Sequence, residues 1–353
     1  MSAGLAGIIL SVVTTLKEKL TATGIRRVGS VKSGFVYRYP DGRKVSAAER
    51  ARIQKLAIPP AWRDVAIAPE QKARLQVVGV DARGRVQYRY HPSFLSKQQD
   101  KKYQRLLAFA QALPKLRKVV RRDIRRPGLG RERVMACILR ILSCCFIRAG
   151  SEAYARENGS YGIATLRPKH VKLRGDHVHF EFPGKSGQKQ VRDIKDRQVA
   201  QVIRELLKVP GRDIFKFINE DGEVIDVRRR HINGYIKETM GEAFSAKDFR
   251  TWAGTLICAC SLARVGTDPA DTPRLLKKKV VAAIKETALQ LGNTPAVCRA
   301  SYIYPPVLGS FEKGRMLERY FETVEELAAF KGHGLHASEE ALLKLVQSGA
   351  TCV

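Results

Sequence analysis

The chain has 353 residues, with 64 Lys and Arg against 34 Asp and Glu, a formal net charge of +30. Its 44% hydrophobic content is that of a folded protein and excludes a wholly disordered basic tail. At about 100–200 residues per domain the length suits two domains, and it allows a sizeable core without disulfide staples.

The first twenty residues, MSAGLAGIILSVVTTLKEKL, carry a short apolar stretch. It lacks a basic leader and a small-residue cleavage site, and it falls short of the ~20 apolar residues of a membrane span. Residues 1–24 are read as an extension of unassigned role. From Ile25 to Tyr90 the pattern is strand-like. GFVYRY alternates, PDGR offers a turn and KV resumes, which predicts a hairpin. A helix is predicted from Ser46, where Ser46 and Glu49 form a capping box, and IPPAW ends it. LQVVGVD, ARGR and VQYRYH predict a second hairpin.

From about Ser96 the apolar period becomes helical. RERVMACILRILSCCFIRAG is apolar on nearly every side and predicts a buried central helix. HVHFEF, PGKSG and KQVRDI predict a hairpin inside the helical region. RQVAQVIRELLK, RRHINGYIKETM, RTWAGTLICACSLA, VVAAIKETALQLG and GRMLERYFETVEELAAFKG read as helices. The expected fold class is α+β: a small β-rich module over residues 25–95 and a larger, mainly helical domain over 96–353.

The charge narrows the partners. Cationic clusters such as Arg26-Arg27, Arg121-Arg122, Arg228-Arg229-Arg230 and Lys277-Lys278-Lys279 are spread along the chain. A membrane-surface protein concentrates such charge in one amphipathic helix. Spread charge fits a protein that surrounds a polyanion, so a nucleic-acid partner and no membrane are expected. Seven cysteines, without a CxxC pair or framework spacing, argue against a disulfide scaffold and a zinc ribbon. There is no GxxxxGK[ST] loop for ATP and no evident carboxylate pair for two metals. His177 and His179 share a strand face and read as a polar strand face rather than as a metal pair. No metal and no small-molecule cofactor are expected.

Phosphate chemistry without these parts needs cations and a protein nucleophile. Arg148 follows the buried helix, where it either pairs at the helix end or meets an anion. Lys185 stands at a hairpin tip, either solvated or reaching to a phosphate or a leaving group. Lys247 and Arg250, three apart, share a helical face that is either solvated or completed by an anion. Asn293, in LGNTP, suits a cap or turn, and a lone tyrosine such as Tyr302 ordinarily packs.

Taken in this order, Arg148, Lys185, Lys247-x-x-Arg250, Asn293 and Tyr302 resemble the constellation of type IB DNA topoisomerases, in the bacterial branch allied to the poxvirus enzyme. IPPAW and GRVQYRYH resemble that family's N-terminal module, and the likeness spans roughly residues 25–310. The resemblance implies a fold akin to the tyrosine recombinases and relaxation of supercoiled DNA through a 3′-phosphotyrosyl intermediate. It implies Tyr302 as nucleophile, Arg148 and Arg250 on the non-bridging oxygens, Lys185 as general acid and Lys247 assisting. The poxvirus pattern has His where this chain has Asn293, so Asn293 is expected to be a neutral donor. Tyr154, Arg85, Gln87, Tyr88 and Tyr90 match DNA-contacting positions. A monomer, cytoplasmic and associated with the nucleoid, is expected.

Two other readings compete. A tyrosine recombinase would show His-x-x-Arg where this chain has Lys247-Asp-Phe-Arg250. A non-catalytic duplex-binding protein would account for the charge but would not depend on Tyr302.

Overall fold

The computed structural model describes residues 15–350. Residues 1–14, most of the expected extension, lie outside the described residues. The chain divides into two compact units, Met1–Lys102 and Tyr103–Val353.

The first unit is built on a five-stranded antiparallel sheet in the order β2-β1-β3-β4-β5. Its elements are α1 (Leu16–Thr23), β1 (Ile25–Ser30), β2 (Gly34–Arg38), α2 (Ala47–Lys55), β3 (Arg63–Ile67), β4 (Leu75–Val80) and β5 (Val86–Tyr90). Strand alternation sends successive side chains to opposite faces. Val65 and Ile67 of β3 therefore join Ile25, Val77 and the α2 residue Ile53 on one side. Ala66 and Ala68 join Leu75, Val78 and the α1 residue Leu20 on the other. Leu16–Thr23 is thus a working part of this unit, anchored by Leu20, and not an appendage.

The predicted Ser46–Glu49 capping box is present, with reciprocal side-chain and backbone bonds. The second predicted hairpin is β4–β5, paired from Val80↔Val86 to Leu75↔Tyr90. The first is corrected. GFVYR pairs backwards with β1, while Lys44 makes only an isolated bridge to Arg38. The PDGR turn is local, but the ladder beyond it is one residue long because the chain leaves at once for α2.

The helical period begins at Pro92, earlier than expected, and α3 (Pro92–Asp123) carries the chain into the second unit. There α4 (Arg131–Cys145) is buried along almost its whole length, as its all-round apolar sequence requires. It is followed by α5 (Glu152–Asn158) and a three-stranded sheet, β6 (Val171–Arg174), β7 (His177–Pro183) and β8 (Lys189–Lys195). β7 and β8 are the predicted hairpin, closed at Pro183↔Lys189, and β6 adds a strand that the sequence reading did not contain. Next come α6 (Arg197–Leu206), the short pair β9 (Lys216–Ile218) and β10 (Val224–Asp226), and α7 (Arg229–Met240). α8 (Ala246–Val265) is the second buried helix; α9 (Pro273–Leu291), α10 (Pro295–Ser301), α11 (Pro305–Glu312), α12 (Val324–Ala329) and α13 (Ala337–Ala350) complete the unit. The whole is a mixed α/β fold with the sheet-rich part first, as expected.

One local helix reading is overturned. GRMLERYFETVEELAAFKG is helical only over Val324–Ala329. Leu317 and Phe321 have helical spacing, but they are buried as anchors of an irregular segment whose carbonyls at Phe321 and Glu322 accept from Arg264. A fresh Thr323–Glu326 capping box then starts α12. Pro305-Pro306 follow the end of α10 and open α11, since a proline in the first turn gives up only an N–H that has no intrahelical partner.

Candidate active site

Four segments of the second unit meet around Tyr302. The first is the exit from α4. Phe146 adopts a left-handed conformation (φ 53°), ending the helix and turning the chain toward Arg148. The strand-like stretch that follows is pinned by backbone bonds, Ile163 N–H to Arg148 O at 2.8 Å and Ala164 N–H to Ala149 O at 3.0 Å. Gly162 permits this approach, because a Cβ there would lie 2.5 Å from Arg148 O and Gly150 N. The half-buried Arg148 is thereby set in a fixed place.

The second segment is the α9–α10 junction. Gly292, left-handed at φ 58°, caps α9, and Thr294 caps α10. Asn293 is the single residue between the caps, so its own side chain is free of capping duty. Its Oδ1 accepts from Arg148 Nη2, which also reaches Gly292 O at 3.4 Å.

The third segment is α8. Its helical twist buries Arg250 (4% exposed) and leaves Lys247 exposed one turn earlier. Arg250 Nη1 donates to Phe146 O, and Nη2 to Leu291 O at 2.8 Å. The guanidinium therefore ties the α4 exit to the end of α9. Burial, then the neighbouring charge of Arg148, pushes its pKa down to about 10.

The fourth segment carries Tyr302, at the C-cap of α10. Its ring lies 5.0 Å from the Arg250 guanidinium carbon. Burial raises the pKa of its hydroxyl, but the adjacent charge and N–H donors of Arg250, then the charges of Arg148 and Lys247, outweigh burial and hold it below the usual tyrosine value. A phenol so placed ionises more readily than one in water. Two buried donors here, Arg250 Nε and Asn293 Nδ2, have no protein partner. Unpaired buried donors beside three positive charges form a site for an anion with several oxygens.

The structure thus brings together Arg148, Arg250, Asn293 and Tyr302, with Lys247 near enough for its charge to act. Lys185 is at the hairpin tip, in a short 3-10 turn (Lys185–Gly187), and is exposed. Among the described residues no hydrogen bond or ion pair joins it to the other four. Tyr154, on α5, is 62% exposed. In the first unit Tyr88 and Tyr90 share one face of β5 and stack at 6.2 Å, while Gln87 points to the other. Arg85 and Gln87 both bind Asp81, by an Arg85 Nη2–Asp81 ion pair at 2.7 Å and a Gln87 Nε2 bond at 2.9 Å. His179 pairs with Asp193 at 2.8 Å, in keeping with a polar strand face.

Sequence reasoning missed residues that position Tyr302. Gly254 faces it: a Cβ there would lie 2.9 Å from both Tyr302 Cβ and Tyr302 O and 3.0 Å from Leu291 Cδ1. The Thr255 hydroxyl reaches Tyr302 O at 3.1 Å and accepts the Tyr304 N–H at 3.2 Å. A glycine amid the strong helix signal of RTWAGTLICACSLA was the available clue, since glycine costs ~1 kcal/mol against Ala inside a helix. Gly254→Ala is expected to displace Tyr302 and to cost about 1–3 kcal/mol from overpacking. Thermal melting beside the parent checks this; an unchanged melting temperature would count against it.

The profile of the eukaryotic DNA topoisomerase I catalytic core matches residues 91–312, and that of the bacterial DNA topoisomerase IB N-terminal domain matches residues 34–81. DNA topoisomerase 1B of Acanthamoeba polyphaga mimivirus is 36% identical over 291 residues, 81% of this chain and 87% of that protein. DNA topoisomerase 1B of Vaccinia virus (strain Copenhagen) is 24% identical over 267 residues, 72% of this chain and 80% of the viral one. A solved complex of the XerH site-specific recombinase with its difH substrate overlaps 55% of this chain and 48% of that one, at 13% identity and a TM-score of 0.33. The core profile covers more than half of the chain and the mimivirus relative most of it, and on that ground the chain belongs to the type IB DNA topoisomerases, enzymes that break and rejoin DNA.

Proposed function

We propose that Tyr302 is the nucleophile of this topoisomerase and that Arg148, Arg250 and Asn293 hold the phosphate it attacks. The observation that carries the reading is the Tyr302 ring lying 5.0 Å from the buried Arg250 guanidinium, with the Arg148–Asn293 pair bonded in the same pocket. The Tyr302 oxygen forms a bond to phosphorus at the scissile phosphodiester, and its proton passes to water. Negative charge grows on the non-bridging oxygens, where the two guanidinium forks and the Asn293 amide act as preformed donors. The P–O5′ bond breaks, and its electron pair goes to O5′. An alkoxide is a poor leaving group, so a proton from Lys185, brought over the step by its hairpin, makes departure feasible. The product is a 3′-phosphotyrosyl link and a free 5′-hydroxyl. The link conserves the phosphodiester energy, so after the cut strand has rotated about its partner, the reverse attack reseals it without ATP.

Lys247 lowers the cost of ionising Tyr302 and adds positive charge at the rim. Tyr154, Tyr88 and Tyr90 are assigned to contacts with the duplex, and Arg85 and Gln87 to contacts made when DNA displaces Asp81. The module of residues 25–95 and the domain of residues 96–353 are each assigned a share of the contacts with duplex DNA. The enzyme is proposed to act as a monomer, in the cytoplasm on the nucleoid.

The nucleophile is tested by trapping the covalent adduct, digesting it, and locating the nucleotide by mass spectrometry. The mass is expected on Tyr302; on Tyr304 or Tyr154 it would refute the assignment. The acid is tested by its leaving group. Lys185→Ala is expected to slow single-turnover cleavage about 10²-fold or more on ordinary DNA. On a duplex whose bridging 5′ atom is sulfur the loss should nearly vanish, because a thiolate leaves without a proton. Equal losses on both substrates would remove Lys185 from that role.

A further inference from the structure

β8 joins the hairpin of Lys185 to the pocket around Asn293 through one face of its strand. Gln190, Arg192 and Ile194 point inward, while Lys189, Val191, Asp193 and Lys195 are exposed. Arg192 Nε donates to Cys145 O at 3.1 Å, and Nη2 donates to Gln290 O at 3.0 Å and to Gln190 Oε1 at 3.1 Å. Cys145 is the last residue of α4 and Gln290 lies one residue before the end of α9. These two helices lead into Arg148 and Asn293. Carbonyls at a helix C-terminus lack intrahelical partners and carry partial negative charge. One guanidinium therefore satisfies two helix ends at once.

The Gln190 side chain completes the connection. It is buried between two glycines, where a Cβ on Gly184 would lie 2.6 Å from Gln190 Cγ and one on Gly292 would lie 2.1 Å from Gln190 Oε1. Gly184 immediately precedes Lys185, and Gly292 immediately precedes Asn293. The backbones that carry the two residues thus both lie close to one side chain.

We infer that Gln190 and Arg192 form a strut that keeps the Lys185 hairpin in register with the Arg148–Asn293 pocket, so that the acid arrives at the oxygen expelled from the phosphate held there. Both are positioning residues and neither touches the reacting atoms. The inference rests on Lys185 as the general acid. Gln190 is the joint on the hairpin side, and Arg192 fixes the strut to the helix ends. A proton donor displaced by ~1 Å loses as much as 10²-fold in rate.

The experiment measures single-turnover cleavage by the full chain on duplexes with a bridging 5′ oxygen or a bridging 5′ sulfur, together with noncovalent DNA affinity and thermal melting. Gln190→Ala, and Gln190→Met, which keeps the volume but not the bond to Arg192, are each expected to cleave the oxygen duplex about 10–100-fold more slowly. On the sulfur duplex both should come within about twofold of the parent, with DNA affinity unchanged, because only the proton transfer has been disturbed. Arg192→Lys cannot span both helix ends and is expected to lose rate on both duplexes, because the pocket itself loosens. Loss of equal size on the two duplexes by the Gln190 variants, or no loss on either, would overturn the strut. Lys185→Ala runs alongside. If its own loss is the same on both duplexes, the acid assignment has failed; if sulfur rescues Lys185→Ala but not the Gln190 variants, the strut alone has failed.

Discussion

A Tyr302→Phe variant is expected to bind duplex DNA and to relax none of it. The phenyl ring keeps the packing beside Arg250 and Gly254, so the pocket and the charge that attracts DNA are preserved. Only the oxygen is lost, and with it the bond that would hold the 3′ phosphate while the other end rotates. Purified parent and variant are compared on supercoiled plasmid in EDTA without ATP. The parent should convert plasmid to relaxed topoisomers and, when quenched with detergent, leave protein covalently attached to DNA. The variant should do neither. Relaxation by the variant would refute Tyr302 as nucleophile. Activity of the parent that disappeared in EDTA would refute a site made of cations alone.

Arg250→Ala is expected to slow cleavage by about 10²–10³-fold, the range found when a preformed oxyanion donor is removed. Two effects add here. The transition state loses a guanidinium, and Tyr302 loses the neighbour that most favours its ionisation. The truncation also leaves the Phe146 and Leu291 carbonyls without their donor. Each such buried group costs about 1–3 kcal/mol, so the variant should melt at lower temperature. Arg250→Lys separates the contributions. It retains a charge near Tyr302 but no fork that reaches two carbonyls and a phosphate oxygen, and should remain about tenfold or more below the parent. Single-turnover adduct formation and melting are measured on all three proteins. Near-full cleavage by Arg250→Ala would remove the residue from the phosphate site.

The reaction class was legible because its parts are local words in the sequence. Lys247-x-x-Arg250 lies on one helix, Lys185 on a hairpin with clear turn chemistry, and Asn293 and Tyr302 flank one short helix. Periodicity of 3.6 or 2 locates such elements because it reports which face of an element is buried. It failed where burial came from irregular chain. Leu317 and Phe321 have helical spacing, yet Arg264 satisfies the carbonyls of an unwound segment there. It failed also at β9 and β10, which are too short to show a period.

Chain order alone determined that this protein would carry a strongly basic composition, a sheet-rich first part, a helical remainder and the side chains proposed for its phosphoryl transfer. Tertiary structure decided where three of those side chains lie. Arg148, which local sequence reads also as a helix-end pair, reaches Asn293 because Gly162 lets its backbone lie against Gly150. Arg250 is buried rather than solvated because the carbonyls of Phe146 and Leu291 converge on it from helices more than 40 residues away in sequence. Tyr302 meets it because Gly254 has no side chain in the way. These are contacts between distant segments, and no local pattern encodes them, since a residue's partner across the core depends on how whole helices pack.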